Sequence, residues 1–97
     1  MREISNSTEE ANFTASNGKS VVFYGSRGCG HCNQIKPVVD QLVRMYPNVK
    51  FGHVETSRVD VQNLEGVPTF VGYRNNVYVD MVVGADQQKL QKMIQSL

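Results

Sequence analysis

Cysteine is scarce in this chain: two residues in 97, both inside the stretch "FYGSRGCGHCNQIKPVV" and separated by two positions. Two thiols so placed cannot form a disulfide framework. A bridge across so short a gap restricts almost none of the unfolded chain, because loop-closure gain grows with loop length. A purely structural staple is thereby set aside. Tryptophan is absent and proline occurs only three times. An excess of charge is lacking too: ten basic residues face nine acidic ones, for a net +1, with no basic block and no aromatic-basic interleaving. Nucleic acid and anionic membrane are therefore not expected as partners. No apolar run approaches the roughly 18 residues of a membrane span. The opening "MREISNSTEEANF" is too polar for a secretory signal, so a cytoplasmic protein is expected.

What is present is ordinary in bulk and informative in order. A chain of 97 residues, 40% hydrophobic and 20% charged, suits one soluble domain over 1–97 with a single core, expected as a monomer. "REIS" is a short strand candidate. In "SNSTEEANFTAS", Ser7 with Glu10 three residues on reads as a capping box opening a short helix. Asn17-Gly18 is a turn, and "SVVFYG" is the continuous apolar run of a buried central strand. From Cys29 to Tyr46 the period changes: Ile35, Val38, Val39, Leu42, Val43 and Tyr46 fall on one helical face, with a kink expected at Pro37.

"VKFGHVE" reads as the next strand. Residues 56–66, "TSRVDVQNLEG", are expected to hold a helical turn or short helix, with Ser57 as cap and Gly66 as stop. "PTFVGYR" and "VYVDMVV" form a hairpin about Asn75-Asn76, since asparagine tolerates positive φ. Asp86 caps a last helix with Leu90, Met93, Ile94 and Leu97 on its apolar side. The expected fold class is α/β, a central mixed β-sheet flanked by helices.

Placed at the N-terminal end of the long helix, Cys29 meets unpaired N–H groups and the positive end of the helix dipole. Such positions lower a thiol pKa from about 8.5 into the range of roughly 3.5–7.5. Cys32 lies one turn further in and deeper, which makes it the less reactive thiol until a mixed disulfide forms beside it. An exposed attacker and an inner resolver are what thiol–disulfide exchange requires. His31 between them favours the thiolate when protonated, and so predicts a more oxidising pair than proline there would give. Arg27 adds positive charge before the attacker, or is simply a solvated surface residue. A metal module is the competing chemistry, since Cys29, Cys32, His31 and His53 are all ligand types. Zinc modules, however, space their ligands as two separated pairs.

"CGHC" at a strand-to-helix turn, Pro37 after the second cysteine, then "GVPTF", a hairpin, Gly84 and a final amphipathic helix resemble the thioredoxin superfamily over nearly the whole chain. The resemblance implies a thioredoxin-like fold and a protein thiol–disulfide oxidoreductase. It implies that Cys29 attacks and Cys32 resolves, with the redox-active pair in place of any cofactor. Pro68 would be cis and packed against the pair, Val67 would offer its backbone to an extended substrate segment, and Gly84 would line the same groove. The proline also crowds the sulfurs against metal. Arg27, Gly30 and His53 would tune the pair from around it. Partners would be proteins with disulfides, recycled by thioredoxin reductase or glutathione.

Several positions depart from the family pattern. The buried acid usual six residues before the first cysteine is Phe23, which puts proton transfer from the inner thiol in question. His53 is expected as a half-buried strand histidine bonded to backbone, with a proton relay as the alternative. Glu55 is expected as a solvated strand end. Gly28 replaces the usual tryptophan and is closer to glutaredoxins, which makes a glutathione-dependent enzyme the second reading. "CGHC" is also usual in disulfide isomerases, yet no retention signal ends the chain, which closes "MIQSL". A redox-silent interaction domain on the same fold is the third.

Overall fold

The computed structural model describes residues 1–61 and 63–97. Its elements run β1 (Arg2–Ile4), α1 (Ser7–Ala15), β2 (Lys19–Gly25), α2 (Gly30–Met45) and β3 (Val49–Glu55), then β4 (Thr69–Arg74), β5 (Val77–Val83) and α3 (Gln87–Ser96). The five strands form one mixed sheet in the order β1-β3-β2-β4-β5. β1 and β2 run parallel to β3, while β4 is antiparallel to β2 and to β5.

The unbroken apolar character of β2 follows from its place at the middle of the sheet, covered on both faces. Val21 and Phe23 face one core with Ile35, Val39 and Leu42 of α2 and Leu90, Met93 and Ile94 of α3. Val22 and Tyr24 face the other, with Phe13 of α1, Ile4 and Val54. The apolar stripe read for α2 is borne out: Ile35, Val39 and Leu42 are buried, and Val38, Val43 and Tyr46 pack half-buried against them. Pro37 sits inside this helix without ending it. Asn75 and Asn76 take φ of 52° and 65° at the hairpin, as a two-residue turn with positive φ at both positions requires. Asp86 caps α3, its side chain accepting the Lys89 N–H at 3.0 Å.

Two local expectations are corrected. The cap of α1 is Asn6, not Ser7: the extended Asn6 accepts the Glu9 N–H at 2.8 Å and its amide donates to Glu9 Oε1 at 3.3 Å. Asparagine and serine cap almost equally well, so neighbouring candidates compete and the entry angle of the chain decides. Glu10, released from the capping role, accepts the Tyr24 hydroxyl instead. No helix forms among the described residues of 56–66; Gln62, within that stretch, lies outside them. Of the two alternatives expected there, the helical turn is the one that forms, where Val59 N–H bonds Glu55 C=O at 3.1 Å. Ser57 does not cap it: its hydroxyl donates to the Glu55 carboxylate at 2.8 Å. Gly66 stops no helix, and its carbonyl accepts from Thr69 Oγ1.

Among the described residues no helix is long and apolar enough to cross a membrane. Replacing Asn6 by Ala removes the α1 cap and is expected to cost about 1 kcal/mol in urea unfolding, against a few tenths for Ser7→Ala.

Candidate active site

β2, the central strand of the sheet, delivers the chain at its C-terminal end, and a turn through Ser26, Arg27 and Gly28 hands it to α2. The turn is closed by Cys29 N–H donating to Ser26 C=O at 3.1 Å. Asn33 reinforces it, its side-chain amide donating to Arg27 C=O at 3.3 Å. Cys29 becomes the N-cap of α2, and its sulfur accepts the Cys32 N–H at 3.0 Å. Sulfur here takes the place of the oxygen that usually satisfies an orphan donor of the first helical turn. Cys32, one turn on, is 3% exposed and belongs to the core, whereas Cys29 is half-buried. The two are disulfide-bonded, with Cα atoms 5.2 Å apart.

Across from the pair lies the loop before β4. The Val67–Pro68 peptide bond is cis. Pro68 is buried and its carbonyl accepts the Gly84 N–H at 2.7 Å, which ties the loop to the end of β5. Gly84 has φ of +101°, a conformation in which a side chain would be strained. The Val67 carbonyl oxygen comes within 3.8 Å of Cys29 Sγ. Among the described residues neither the N–H nor the C=O of Val67 has a backbone hydrogen-bond partner. The structure thus brings Cys29, Cys32, Val67, Pro68 and Gly84 together. Arg27, Gly30 and His31 are exposed at the rim, and no atom crowds the position a Gly30 side chain would occupy.

Behind Cys32 the surroundings differ from the expectation. Phe23 is buried between two rings, stacked on Phe70 at 4.8 Å and tilted against His53 at 5.1 Å. A Cβ on Gly25 would stand 3.0 Å from the Phe23 ring and 3.5 Å from Cys32 Sγ, so glycine there lets ring and sulfur approach. Among the described residues His53 is not bonded to backbone: its Nδ1 sits 3.0 Å from both carboxylate oxygens of Glu3. Glu55 is no solvated strand end either, being only 9% exposed.

Burial pushes the Glu55 carboxyl up, but hydrogen bonds from the Ser57 hydroxyl and N–H outweigh it. With the nearby His53 and a bond from the Arg27 backbone, they hold Glu55 below the usual carboxylate range. Phe23, Cys32, His53, Glu55, Arg27 and Lys36 line a cavity of about 50 Å³ beneath the active-site turn. Sequence reasoning missed Glu3 and Glu55, whose partners stand on other strands or turns. The signal within reach was "ETS", where a serine two residues after an acid can bond back to it.

Carried at the tip of a helix and able to close on itself, the cysteine pair sets this molecule among the thiol–disulfide oxidoreductases. Residues 2–96 match the family model Thioredoxin, and the chain belongs to the thioredoxin family. It is similar to Thioredoxin Asp f 28 of Aspergillus fumigatus, 33% identical over 87 residues that cover 84% of this chain and 81% of that protein. Thioredoxin of Ophiophagus hannah is 34% identical over 76% of this chain and 74% of its own length. The oxidised crystal structure of mitochondrial thioredoxin 3 from Saccharomyces cerevisiae superposes with a TM-score of 0.94 at 27% identity, covering 100% of this chain and 95% of that one. Family membership supports thiol–disulfide oxidoreductase activity and suggests disulfide-bearing proteins and a reductase as partners.

Glu55 yields a pH-dependent expectation. Its folded pKa lies below the value near 4.5 of the unfolded chain, so its stabilisation is present above that value and is lost as pH falls through the lower folded one. Glu55→Ala should cost roughly 0.5–1.5 kcal/mol at pH 7 by urea unfolding, since the exposed Ser57 loses the acceptor of its hydroxyl and N–H but regains water. The gap to the parent should narrow in acid below the carboxylate range.

Proposed function

We propose that the protein reduces or exchanges disulfides in other proteins, with Cys29 attacking and Cys32 resolving. The observation that carries this reading is the Cys32 amide hydrogen held on the Cys29 sulfur at the start of α2. In the reduced pair the same N–H, the other free donors of the first turn and the helix dipole all favour a thiolate at position 29. Only a few per cent of an ordinary thiol is ionised at neutral pH, so this gain sets the rate of attack.

The thiolate of Cys29 attacks one substrate sulfur, the substrate S–S bond breaks, and the departing thiolate takes up a proton. Cys32 then displaces the second substrate thiolate by attacking Cys29 Sγ. Two electrons have passed from the dithiol to the substrate, and the Cys29–Cys32 disulfide remains. Burial of Cys32 holds it back until that second step.

Val67, neither of whose backbone groups has a backbone partner among the described residues, receives an extended substrate segment by strand addition, which is tolerant of side chains. Pro68 and Gly84 shape the groove beside it. Arg27 and Gly30 belong to the rim, where a bulky partner has access. Recycling is assigned to thioredoxin reductase rather than glutathione, because Ala85 follows Gly84 where glutathione-binding relatives of this fold carry a second glycine. The protein works as a monomer in this scheme.

Cys29→Ser should abolish reduction of insulin disulfides while leaving the thermal melt of the protein intact. Cys32→Ser should instead accumulate a mixed disulfide with substrate, visible as a mass adduct. For His31→Pro, the reduction potential measured against glutathione should fall by roughly 30 mV, a tenfold change in equilibrium for a two-electron couple.

A further inference from the structure

Cys32 must lose a proton before it can resolve a mixed disulfide, yet it is buried, and the residue across from it on β2 is the ring of Phe23. Beside it lies the cavity of about 50 Å³, roomy enough to hold water. That cavity offers two groups able to accept a proton, His53 and Glu55, while Arg27 and Lys36 on its wall carry donors only.

Geometry separates the two. Glu55 Oε2 already accepts the Ser57 hydroxyl at 2.8 Å and the Ser57 N–H at 3.4 Å, and the Arg27 N–H bonds the same carboxylate. Three of its roughly four lone-pair sites are committed to holding the turns around it. His53 is arranged differently. Glu3, Phe23 and His53 stand in one row across the sheet, Glu3 opposite His53 on β1 and Phe23 opposite it on β2. A carboxylate accepts and does not donate, so the ring nitrogen 3.0 Å from both Glu3 oxygens carries the proton. Nε2 of the neutral ring is left with the lone pair.

We propose that His53, oriented by Glu3 and working through a water in this cavity, accepts the proton of Cys32 in the resolving step. The step balances simply. The Cys32 S–H bond breaks, its proton passes by way of the water to Nε2, and the thiolate attacks Cys29 Sγ to form the intramolecular disulfide. The substrate sulfur leaves with the electron pair, and the imidazolium later returns its proton to solvent. Glu3 is a positioning residue: it fixes the tautomer and offsets the charge the ring gains. Being largely exposed, it contributes less than the ring itself. The charges facing the imidazole are Glu3 from β1, Glu55 from β3, Arg27 from the active-site turn and Lys36 from α2. Phe23 takes no part in the transfer and walls the cavity off on the β2 side.

The inference rests on Cys29 as attacker, and one experiment separates the two readings. Reduced protein mixed with one equivalent of 5,5′-dithiobis(2-nitrobenzoate) releases coloured thiolate twice. The first burst comes when Cys29 attacks the reagent, the second when Cys32 displaces the remaining half. His53→Gln is expected to leave the first burst unchanged and to slow the second fivefold or more at pH 7, within the range a lost general base can cost. The inflection of the second-burst rate with pH should vanish in this variant, leaving a rise in proportion to hydroxide. Glu3→Gln should slow the same burst by a smaller factor and shift its inflection. A second burst slowed less than fivefold in His53→Gln, or an inflection unchanged by it, overturns the relay alone. So does a larger loss in Glu55→Gln than in His53→Gln. A first burst that survives Cys29→Ser overturns the attacker assignment, and the relay with it.

Discussion

The amide of Cys32 points at the sulfur of Cys29, and most of the site follows from that one hydrogen bond. Helix starts leave N–H groups without partners, and proteins usually satisfy one of them with a short polar side chain. Here a thiol-bearing residue holds the position, so the same unmet donors that would be a local cost become the device that stabilises a sulfur anion. The arrangement also sets the depth of both sulfurs. A residue at the cap stays half-buried, and one placed three residues later turns onto the face that carries Ile35 and Val39 into the core. Different reactivity for two chemically identical side chains is thus a consequence of helical geometry.

The opposite wall depends on sheet topology. β4 runs antiparallel to β2, so its beginning meets the end of β2 and the start of α2. The loop carrying Val67 and Pro68 therefore faces Cys29, although 38 residues separate Val67 from it. β5 returns beside β4 and ends at Gly84, whose N–H holds the Pro68 carbonyl. Three segments far apart in the chain meet at one end of the sheet because the strands that carry them are neighbours in it.

Phe23 shows how one substitution reorganises a neighbourhood. An acid at that position would have to be buried beside Cys32; phenylalanine instead stacks on Phe70 and adds to the core. Polar groups are then found further along the same row, on β3 and β1, rather than directly under the thiol. Glu55 and His53 are two residues apart on one strand and serve different ends. One is tied down by the donors of Ser57 and Arg27, and the other is paired with a carboxylate on the neighbouring strand.

Much of this was legible in the residues alone. The apolar run at 20–25, the helical stripe from Ile35 to Tyr46, the asparagine pair of the hairpin and the Asp86 cap depend on period and backbone chemistry within a few positions. The cysteine spacing, with an N-terminal helix turn around it, likewise carried the redox chemistry. What only the tertiary structure decided were partnerships between segments: Glu3 with His53, Glu10 with Tyr24, and the burial of Glu55. The choice of Asn6 over Ser7, and of a single helical turn over a short helix after β3, also belong there. Local propensities were nearly balanced in these places, and strand register and packing broke the tie. Periodicity says which face of a segment is buried, but not which side chain of a distant segment it will meet there.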